Sequence, residues 1–420
     1  MPLGPDKAKL RDDRSKLTEQ VRGMPAPIAW GSFIQKILHL VGVLRVSLPC
    51  AGTDSGEGFQ HMGINWRACD VWDVVGNYAE AMKHFFRKHG GGEPNLHVGL
   101  PDGDVTSWVD NLCHLTQCHF LMGGPPCPPW SSQGRRQGLN DDRARVFEAV
   151  LQIIIYLIHE RGLLAVCLEN VKGVLQSING CQPFFIKLIG VLRECVPCFC
   201  WDISRLEAEN YQSGQQRVRV LLRGLHRKLC PEGCVPAVLG PFGRAPLGRF
   251  LNRELPHFPV ENLNKNMQSN RTAYLKLLWS NVERGLLDPW SITIFGLDRA
   301  KGMVFKQLWY ADISPTLTTS NVYLWVLVLA EEHLPDHERT FSRFLSAPER
   351  LALQGKSPEL ALHLGSEPRL LNLVYIYIYI YICIYMYRRL GGVNSPLGRP
   401  PRNREIVSCR ACVRMYMCVL

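Results

Sequence analysis

The sequence lacks an apolar leader at its N-terminus, where Lys, Arg and Asp residues are frequent. A secretory signal needs an uninterrupted apolar segment, so we expect a nuclear protein if the source is a eukaryote, with the cytoplasm as the alternative. In either compartment the 16 cysteines stay reduced. The two Cys-x2-Cys pairs, Cys195/Cys198 and Cys409/Cys412, each lack a convincing second pair. Because a structural zinc ion needs four ligands, no metal site is predicted.

Acidic residues are too few to balance the basic ones. The chain has 37 Asp and Glu against 48 Lys and Arg, a formal net charge of +11. This balance favours a polyanionic partner, although many soluble proteins are mildly basic without one. With 46% hydrophobic and 20% charged residues, the composition is that of a globular chain and excludes a disordered one. Its 420 residues are enough for one or two domains.

Strands alternate with helices over the first half of the chain. This alternation predicts an α/β domain with a doubly wound, mostly parallel sheet. The predicted strands are residues 41–48, 67–72, 119–122, 163–168 and 217–222. The predicted helices are residues 77–88, 143–161 and 184–194. From about residue 226 the pattern breaks, which indicates a second, smaller domain.

Five segments are predicted along the chain. They are a polar arm with a short helix (1–40), the α/β domain (41–225), the smaller domain (226–310), a segment of regular pattern (311–365) and a tail (366–420). The tail contains an alternating Tyr-Ile repeat at Tyr375–Tyr387. As a strand it would aggregate, and as a membrane span it would be unusually rich in tyrosine. We favour a third interpretation, a translated dinucleotide repeat from a faulty gene model, and assign the tail no function.

One cysteine stands in an unusual context. Cys127 lies between prolines in the segment Gly123–Ser131, directly after a predicted strand. A buried, inert cysteine is the commoner case. Prolines, however, end regular structure, so this thiol is expected at a strand's carboxyl end, where open α/β sheets bind ligands. Forty residues later, an apolar run ends in Glu169 and Asn170.

The Cys127 segment and the Glu-Asn pair resemble motifs IV and VI of the DNA (cytosine-5) methyltransferases. The resemblance spans Arg45–Pro358 in the order of the family's motifs. It implies that Cys127 attacks C6 of cytosine, and that Glu169 bonds N3 and the exocyclic amine. It further implies that Asn170 orders the loop.

A Gln-x-Arg-x-Arg segment at residues 215–219 resembles motif VIII of the family. By this resemblance, Arg219 contacts O2 of the cytosine and Arg217 contacts the backbone near it. Residues 343–355 resemble motif IX, which would organise the second domain. Motif X, a Gly-Asn-led segment, is not found in the sequence.

Three further motifs imply S-adenosylmethionine as the cofactor. Residues 50–59 resemble motif I, residues 70–73 motif II and residues 103–105 motif III. Asp70 would hold the ribose, with Asp73 as the next candidate, and Asp104 would bond the adenine amino group. The expected cofactor-binding residues are Cys50, Ala51, Gly52, Asp70, Val71, Trp72, Asp104, Val105 and Pro125, with Val71 and Trp72 covering the adenine.

The resemblance makes residues 41–225 the catalytic and cofactor-binding domain and residues 226–310 the target-recognition domain. DNA is the expected partner, with no membrane. The recognition segment carries basic residues that suit phosphate contacts. They are Arg227, Lys228, Arg244, Arg249, Arg253, Lys265, Arg271 and Lys276. Two alternatives stay open: a transfer-RNA cytosine-5 methyltransferase, and an inactive nucleic-acid-binding remnant.

Overall fold

The computed structural model describes residues 42–52, 59, 64–88, 91–131, 136–178, 180–227, 235, 241, 243–297, 310–317, 323–355 and 361–362. Several predictions fall outside these residues: the N-terminal arm with its helix, most of the motif I segment (53–58), Lys228, the Cys409/Cys412 pair and the Tyr-Ile repeat.

A seven-stranded sheet forms the centre of the larger domain, in the order β3-β2-β1-β4-β5-β7-β6. The strands are β1 Leu44–Leu48, β2 Trp66–Asp73, β3 Asn95–Val98, β4 Phe120–Gly123, β5 Ala165–Val171, β6 Phe199–Glu207 and β7 Val218–His226. Strand β7 is antiparallel to both of its neighbours, whereas the pairs from β3 to β5 are parallel. The predicted doubly wound, mostly parallel sheet is therefore confirmed, although β3 and β6 were not predicted.

Three helices whose full bounds lie in the described part of the chain pack on this sheet: α1 Ala79–Lys88, α2 Ala144–Arg161 and α3 Phe184–Cys195. Helix α1 packs into one apolar cluster, and α2 and α3 pack into the other. Strand β5 is buried along nearly its whole length, as expected for a central strand covered on both faces. In the part of the chain that the structure describes, no helix is both long and apolar enough to cross a membrane.

The strand order reverses between β1 and β4, which creates a switch point at the carboxyl edge of the sheet. Ligands of open α/β sheets bind in the crevice at such a point. The backbone is tightly packed here. A Cβ atom at Gly123, the last residue of β4, would lie 2.3 Å from the carbonyl oxygen of Pro49. Only glycine therefore allows the turn after β1 to approach the end of β4.

A second, antiparallel sheet of four strands has the order β11-β10-β8-β9. Its strands are β8 Ile292–Gly296, β9 Tyr310–Ala311, β10 Leu324–Val328 and β11 Ser342–Phe344, accompanied by helices α4 Lys265–Glu283 and α5 Ala347–Leu353. The sheet combines strands from both sides of the predicted boundary at residue 310. The segment of motif IX holds this domain together through the buried ion pair of Arg343 and Glu349, 2.7 Å apart. Arg343 also donates to the carbonyl of Asn252 at 2.6 Å.

Helix α4 has 19 residues, yet the sequence showed no regular pattern in this region. Its buried side is mixed: Asn270, Arg271 and Asn281 are buried together with Tyr274 and Leu278. Buried polar residues break the apolar period by which an amphipathic helix is identified. The helix was therefore missed because tertiary contacts satisfy polar groups that the sequence pattern assigns to solvent.

Candidate active site

Cys127 lies in a tight turn four residues beyond the end of β4. Its carbonyl oxygen accepts hydrogen bonds from the backbone N–H groups of Trp130, at 3.0 Å, and Ser131, at 2.9 Å. The flanking residues Pro126 and Pro128 are, like Cys127, partly exposed. The turn therefore places the thiol at the carboxyl edge of the sheet with some access to solvent.

Glu169 lies on β5, next to the end of β4, and its side chain is enclosed by two arginines. Its Oε1 contacts Nε of Arg219 and lies 3.9 Å from Nη2 of Arg217. Glu169 is only 7% exposed. The arginines reach it because β7 pairs antiparallel with β5, with Arg219 opposite Val171. The structure thus brings the three charged residues of motifs VI and VIII into one group.

Asn170 joins the two strand ends. Its Nδ2 donates to the carbonyl of Pro125 at 3.1 Å, and its Oδ1 accepts from the backbone N–H of Val171 at 2.9 Å. Pro125 precedes Cys127 by two residues, so this bond fixes the Cys127 segment to the strand that carries Glu169. The cofactor contact expected of Pro125 stays a prediction.

The environment raises the pKa of the Cys127 thiol. Burial is the main cause, and the negative charge of Glu169 adds to it, whereas Arg219 and Arg217 act in the opposite direction. The thiol is therefore protonated at neutral pH in the free protein. Because all three side chains influence the thiol, the four residues form one electrostatic unit.

Asp73 ends β2 and binds the turn after β1. Its Oδ2 accepts from the backbone N–H of Gly52 at 2.8 Å, and its Oδ1 accepts from that of Val75 at 2.9 Å. Burial raises the pKa of this carboxyl to about 6, although both hydrogen bonds act to lower it. Burial, followed by the charges of Asp73 and Asp104, raises the pKa of the Cys50 thiol. Asp73, Asp104 and Cys50 therefore form a second polar cluster at the carboxyl edge of the sheet, beside the turn after β1.

The structure does not support Asp70 as the ribose-binding acid. Asp70 is 2% exposed and lies inside β2. Its Oδ2 accepts from the backbone N–H of Thr116 at 2.7 Å, and its Oδ1 accepts from Nδ2 of Asn95 at 2.8 Å. Since β2 extends to Asp73, that residue and not Asp70 reaches the end of the strand. Asp70 instead holds β2 against its neighbours.

Val71 and Trp72 are also core residues rather than a surface for adenine, because both are fully buried. The ring of Trp72 stacks on His97 with centroids 5.4 Å apart. The apolar side chain that follows the end of β2 is Val74, which is 51% exposed. It presents an apolar surface beside Asp73.

The segment that contains the motif III residues is connected to Asp73 through the backbone. The backbone N–H of Gly99 donates to the carbonyl of Asp73 at 2.9 Å, and that of Gly103 donates to the carbonyl of Gly99 at 2.5 Å. Oδ1 of Asp104 accepts from the backbone N–H of Thr106 at 2.9 Å. Ala51 and Val105 are buried and support the two turns.

Sequence reasoning missed one charged residue near the thiol, Arg143. Its Nε and Nη2 donate to the two oxygens of Asp141, at 2.8 Å and 2.6 Å. These bonds raise the pKa of Arg143, and Cys127 raises it further. The sequence pattern assigned Arg143 only to the start of a helix. Within the described residues, no group of three or more His, Cys, Asp or Glu side chains is placed to bind a metal ion.

The charge coupling predicts how Cys127 reacts with iodoacetamide. Glu169→Gln removes a negative charge that raises the pKa of the thiol, so labelling at neutral pH should become faster. Arg219→Gln removes a charge that lowers this pKa, so labelling should become slower. Mass spectrometry of the Cys127 peptide over a range of pH measures both rates. If both variants changed the labelling rate in the same direction, the opposite effects of Glu169 and Arg219 on Cys127 would be contradicted.

Comparison with known proteins agrees with this geometry. Residues 80–287 match the family model of the C-5 cytosine-specific DNA methylases. The chain is 29% identical over 129 residues to the type II methyltransferase M.BsuFI of Bacillus subtilis, covering 31% of this chain and 29% of that protein. It is 30% identical over 128 residues to M.HpaII of Haemophilus parainfluenzae, covering 30% and 34%. The alignments thus span about a third of these relatives' length.

The fold also has a counterpart among solved structures. The Entamoeba histolytica methyltransferase EhMeth superposes with a TM-score of 0.53 at 14% identity, covering 83% of this chain and 98% of that one. At this identity the likeness concerns the fold alone. The family assignment depends instead on the sequence match of residues 80–287, which includes the Cys127 turn, the Glu169–Asn170 pair and both arginines. Residues 80–287 of this chain form a C-5 cytosine-specific DNA methylase domain.

Proposed function

We propose that this protein transfers a methyl group from S-adenosylmethionine to C5 of cytosine in DNA. One observation carries the proposal: the Cys127 turn is bonded through Pro125 to Asn170, beside Glu169 and its arginine partners. A nucleophile, an acid and fixed positive charge therefore meet at the crevice of the sheet. These are the groups that addition to a pyrimidine ring requires.

The reaction needs a nucleophile because C5 of cytosine is too weak to attack a methyl donor unaided. The Cys127 thiol loses its proton to solvent, and the thiolate adds to C6 while Glu169 supplies a proton to N3, which makes C5 reactive. The bound cofactor contributes the electrophilic methyl group. A base then removes the C5 proton, the bond between sulfur and C6 breaks so that the thiolate leaves, and N3 returns its proton to Glu169. This covalent route divides one difficult step into easier ones.

The proton on Glu169 can affect both the cytosine and the Cys127 thiol. In the free protein, the Glu169 carboxylate raises the pKa of Cys127, and the arginines lower it. A Glu169 that carries the proton destined for N3 no longer opposes the thiolate, so only the favourable charges of Arg217 and Arg219 remain. A proton on Glu169 would thus stabilise the thiolate form of Cys127.

The residues of the second polar cluster suit S-adenosylmethionine. Each oxygen of Asp73 accepts one backbone hydrogen bond and keeps further acceptor capacity for a ribose hydroxyl. The half-exposed Val74 offers an apolar surface to the adenine. Asp104 has a second oxygen that can accept from the adenine amino group.

DNA binding by the smaller domain rests on exposed basic residues, because they neutralise phosphates. Arg249, Arg253, Lys265 and Lys276 are exposed. Arg271 is not available for this role, since it is 8% exposed and pairs with Glu332. A cytosine in duplex DNA must leave the base stack to reach Cys127. A nuclear location in a eukaryotic cell remains part of this proposal.

Covalent trapping on 5-fluorocytosine substrates tests the function. We expect the full chain, with S-adenosylmethionine, to form a stable adduct on DNA because fluorine at C5 blocks the final elimination. Cys127→Ala should abolish the adduct, whereas Cys113→Ala, which changes an exposed cysteine on another surface, should leave it intact. An adduct formed by Cys127→Ala would exclude Cys127 as the nucleophile. An adduct on RNA alone would identify an RNA enzyme, and no adduct on either would indicate an inactive remnant.

Calorimetry distinguishes the two candidate ribose acids. Asp73→Asn should weaken S-adenosylmethionine binding by about 1.5–3 kcal/mol, the range for a hydrogen bond to a charged group. Because the pKa of Asp73 is raised to about 6, the wild-type carboxyl takes up a proton below that pH, and its affinity should fall there. Asp73→Asn should lose this pH dependence. Asp70→Asn is the control and should keep the pH dependence. If Asp70→Asn loses the pH dependence and Asp73→Asn keeps it, Asp70 is the ribose-binding acid.

A further inference from the structure

We propose that Trp130 is a positioning residue that holds Cys127 at a fixed place relative to Glu169. The inference rests on the proposed methyl transfer. Trp130 acts through the backbone of the Cys127 turn, which it connects to the core and to the strand that carries Glu169.

The first connection is through the backbone. Pro128 and Pro129 follow Cys127 and have no backbone N–H, so the nearest donors after the cysteine are those of Trp130 and Ser131. Both bind the Cys127 carbonyl, at 3.0 Å and 2.9 Å. The position of the cysteine therefore depends directly on where the Trp130 backbone is held.

The second connection is through the indole ring, which is only 2% exposed. It stacks on Phe184 at the start of α3, with centroids 4.7 Å apart and an interplanar angle of 20°. It meets Phe147 of α2 edge to face, with centroids 5.8 Å apart. Offset-stacked and edge-to-face arrangements are the favoured geometries of aromatic pairs. The ring thus fixes the turn to two helices.

The third connection leads to the strand of the acid. Gly173 lies in the short 3-10 helix that follows β5. A Cβ atom there would be 1.8 Å from the carbonyl oxygen of Trp130. The Trp130 backbone therefore packs directly on the segment four residues beyond Glu169. With the Asn170 bond to Pro125, the Cys127 turn is held to β5 on both sides.

Trp130 also stands at the base of the loop that follows. The backbone N–H of Gly138 donates to the carbonyl of Pro129 at 3.0 Å and closes the loop just before the tryptophan. The carbonyl next to Trp130 is thus also bonded to the segment that leads into α2.

The test compares Trp130→Ala and Trp130→Phe with Phe185→Leu. Phe185 is fully buried in the same aromatic cluster, 5.8 Å from Phe147, and is not hydrogen-bonded to the turn. The rate of adduct formation on 5-fluorocytosine DNA is measured at saturating DNA and cofactor. We expect Trp130→Ala to lower this rate about 100-fold, as a displacement of roughly 1 Å does, with an unchanged half-saturating DNA concentration.

The conservative variant and the control complete the comparison. Trp130→Phe keeps an aromatic stack and should recover most of the rate, and Phe185→Leu should resemble the wild type after correction for its folded fraction. Equal decreases of the adduct rate in Trp130→Ala and Phe185→Leu would overturn the proposal. A change of the half-saturating DNA concentration alone, with an unchanged rate at saturation, would also overturn it. If Trp130→Ala does not fold, Trp130→Leu, which keeps apolar volume without the stack, replaces it.

Iodoacetamide labelling of Cys127 separates this proposal from the proposed function. If the wild type forms no adduct, the methyl transfer fails, but the positioning of the thiol is still measurable. Trp130→Ala should shift the pH profile of Cys127 labelling toward that of an ordinary cysteine, since the turn loses its burial. Trp130→Phe and Phe185→Leu should keep the wild-type profile. An unchanged profile in Trp130→Ala would overturn the positioning role.

Discussion

The buried charge of Glu169 is the constraint on which the rest of the site depends. A carboxylate removed from water is costly unless it is paired and hydrogen-bonded. The sheet meets this need by inserting β7 antiparallel beside β5, so that Arg219 and Arg217 reach the acid from the neighbouring strand. Within the seven-stranded sheet, β7 is the strand that runs antiparallel to both of its neighbours, and this arrangement places the arginines beside the acid. It also brings positive charge to Cys127.

The same strand connects catalysis to the smaller domain. Just before β7, the backbone N–H of Gln216 donates to the carbonyl of Ser314 at 2.8 Å, and that of Ser314 donates to the carbonyl of Gly214 at 2.7 Å. Only two residues separate this junction from Arg219. The backbone that carries the arginines is therefore bonded directly to the segment that enters the second sheet.

The sequence located the turn of Cys127 and the strand of Glu169 better than it located the end of β2, and the reason is local. The prolines around Cys127 and the apolar run before Glu169 can be recognised as strand ends from the sequence alone. Asp70 was chosen by its resemblance to motif II, but it lies inside β2, and Asp73 is the acid at the end of that strand. Helix α4 was missed because its buried side includes polar residues whose partners are distant in sequence. The role of Trp130 depends on contacts with two helices and β5, which no local pattern reveals.

The central claim is that Glu169 and its arginines act on Cys127 as one unit. A double-mutant cycle of Glu169→Gln and Arg219→Gln, measured on the rate of covalent adduct formation, tests it most directly. Residues that act together give strongly non-additive effects. The account predicts that the double variant is about as slow as the slower single variant. Losses that simply add in free energy would show two independent residues and contradict it.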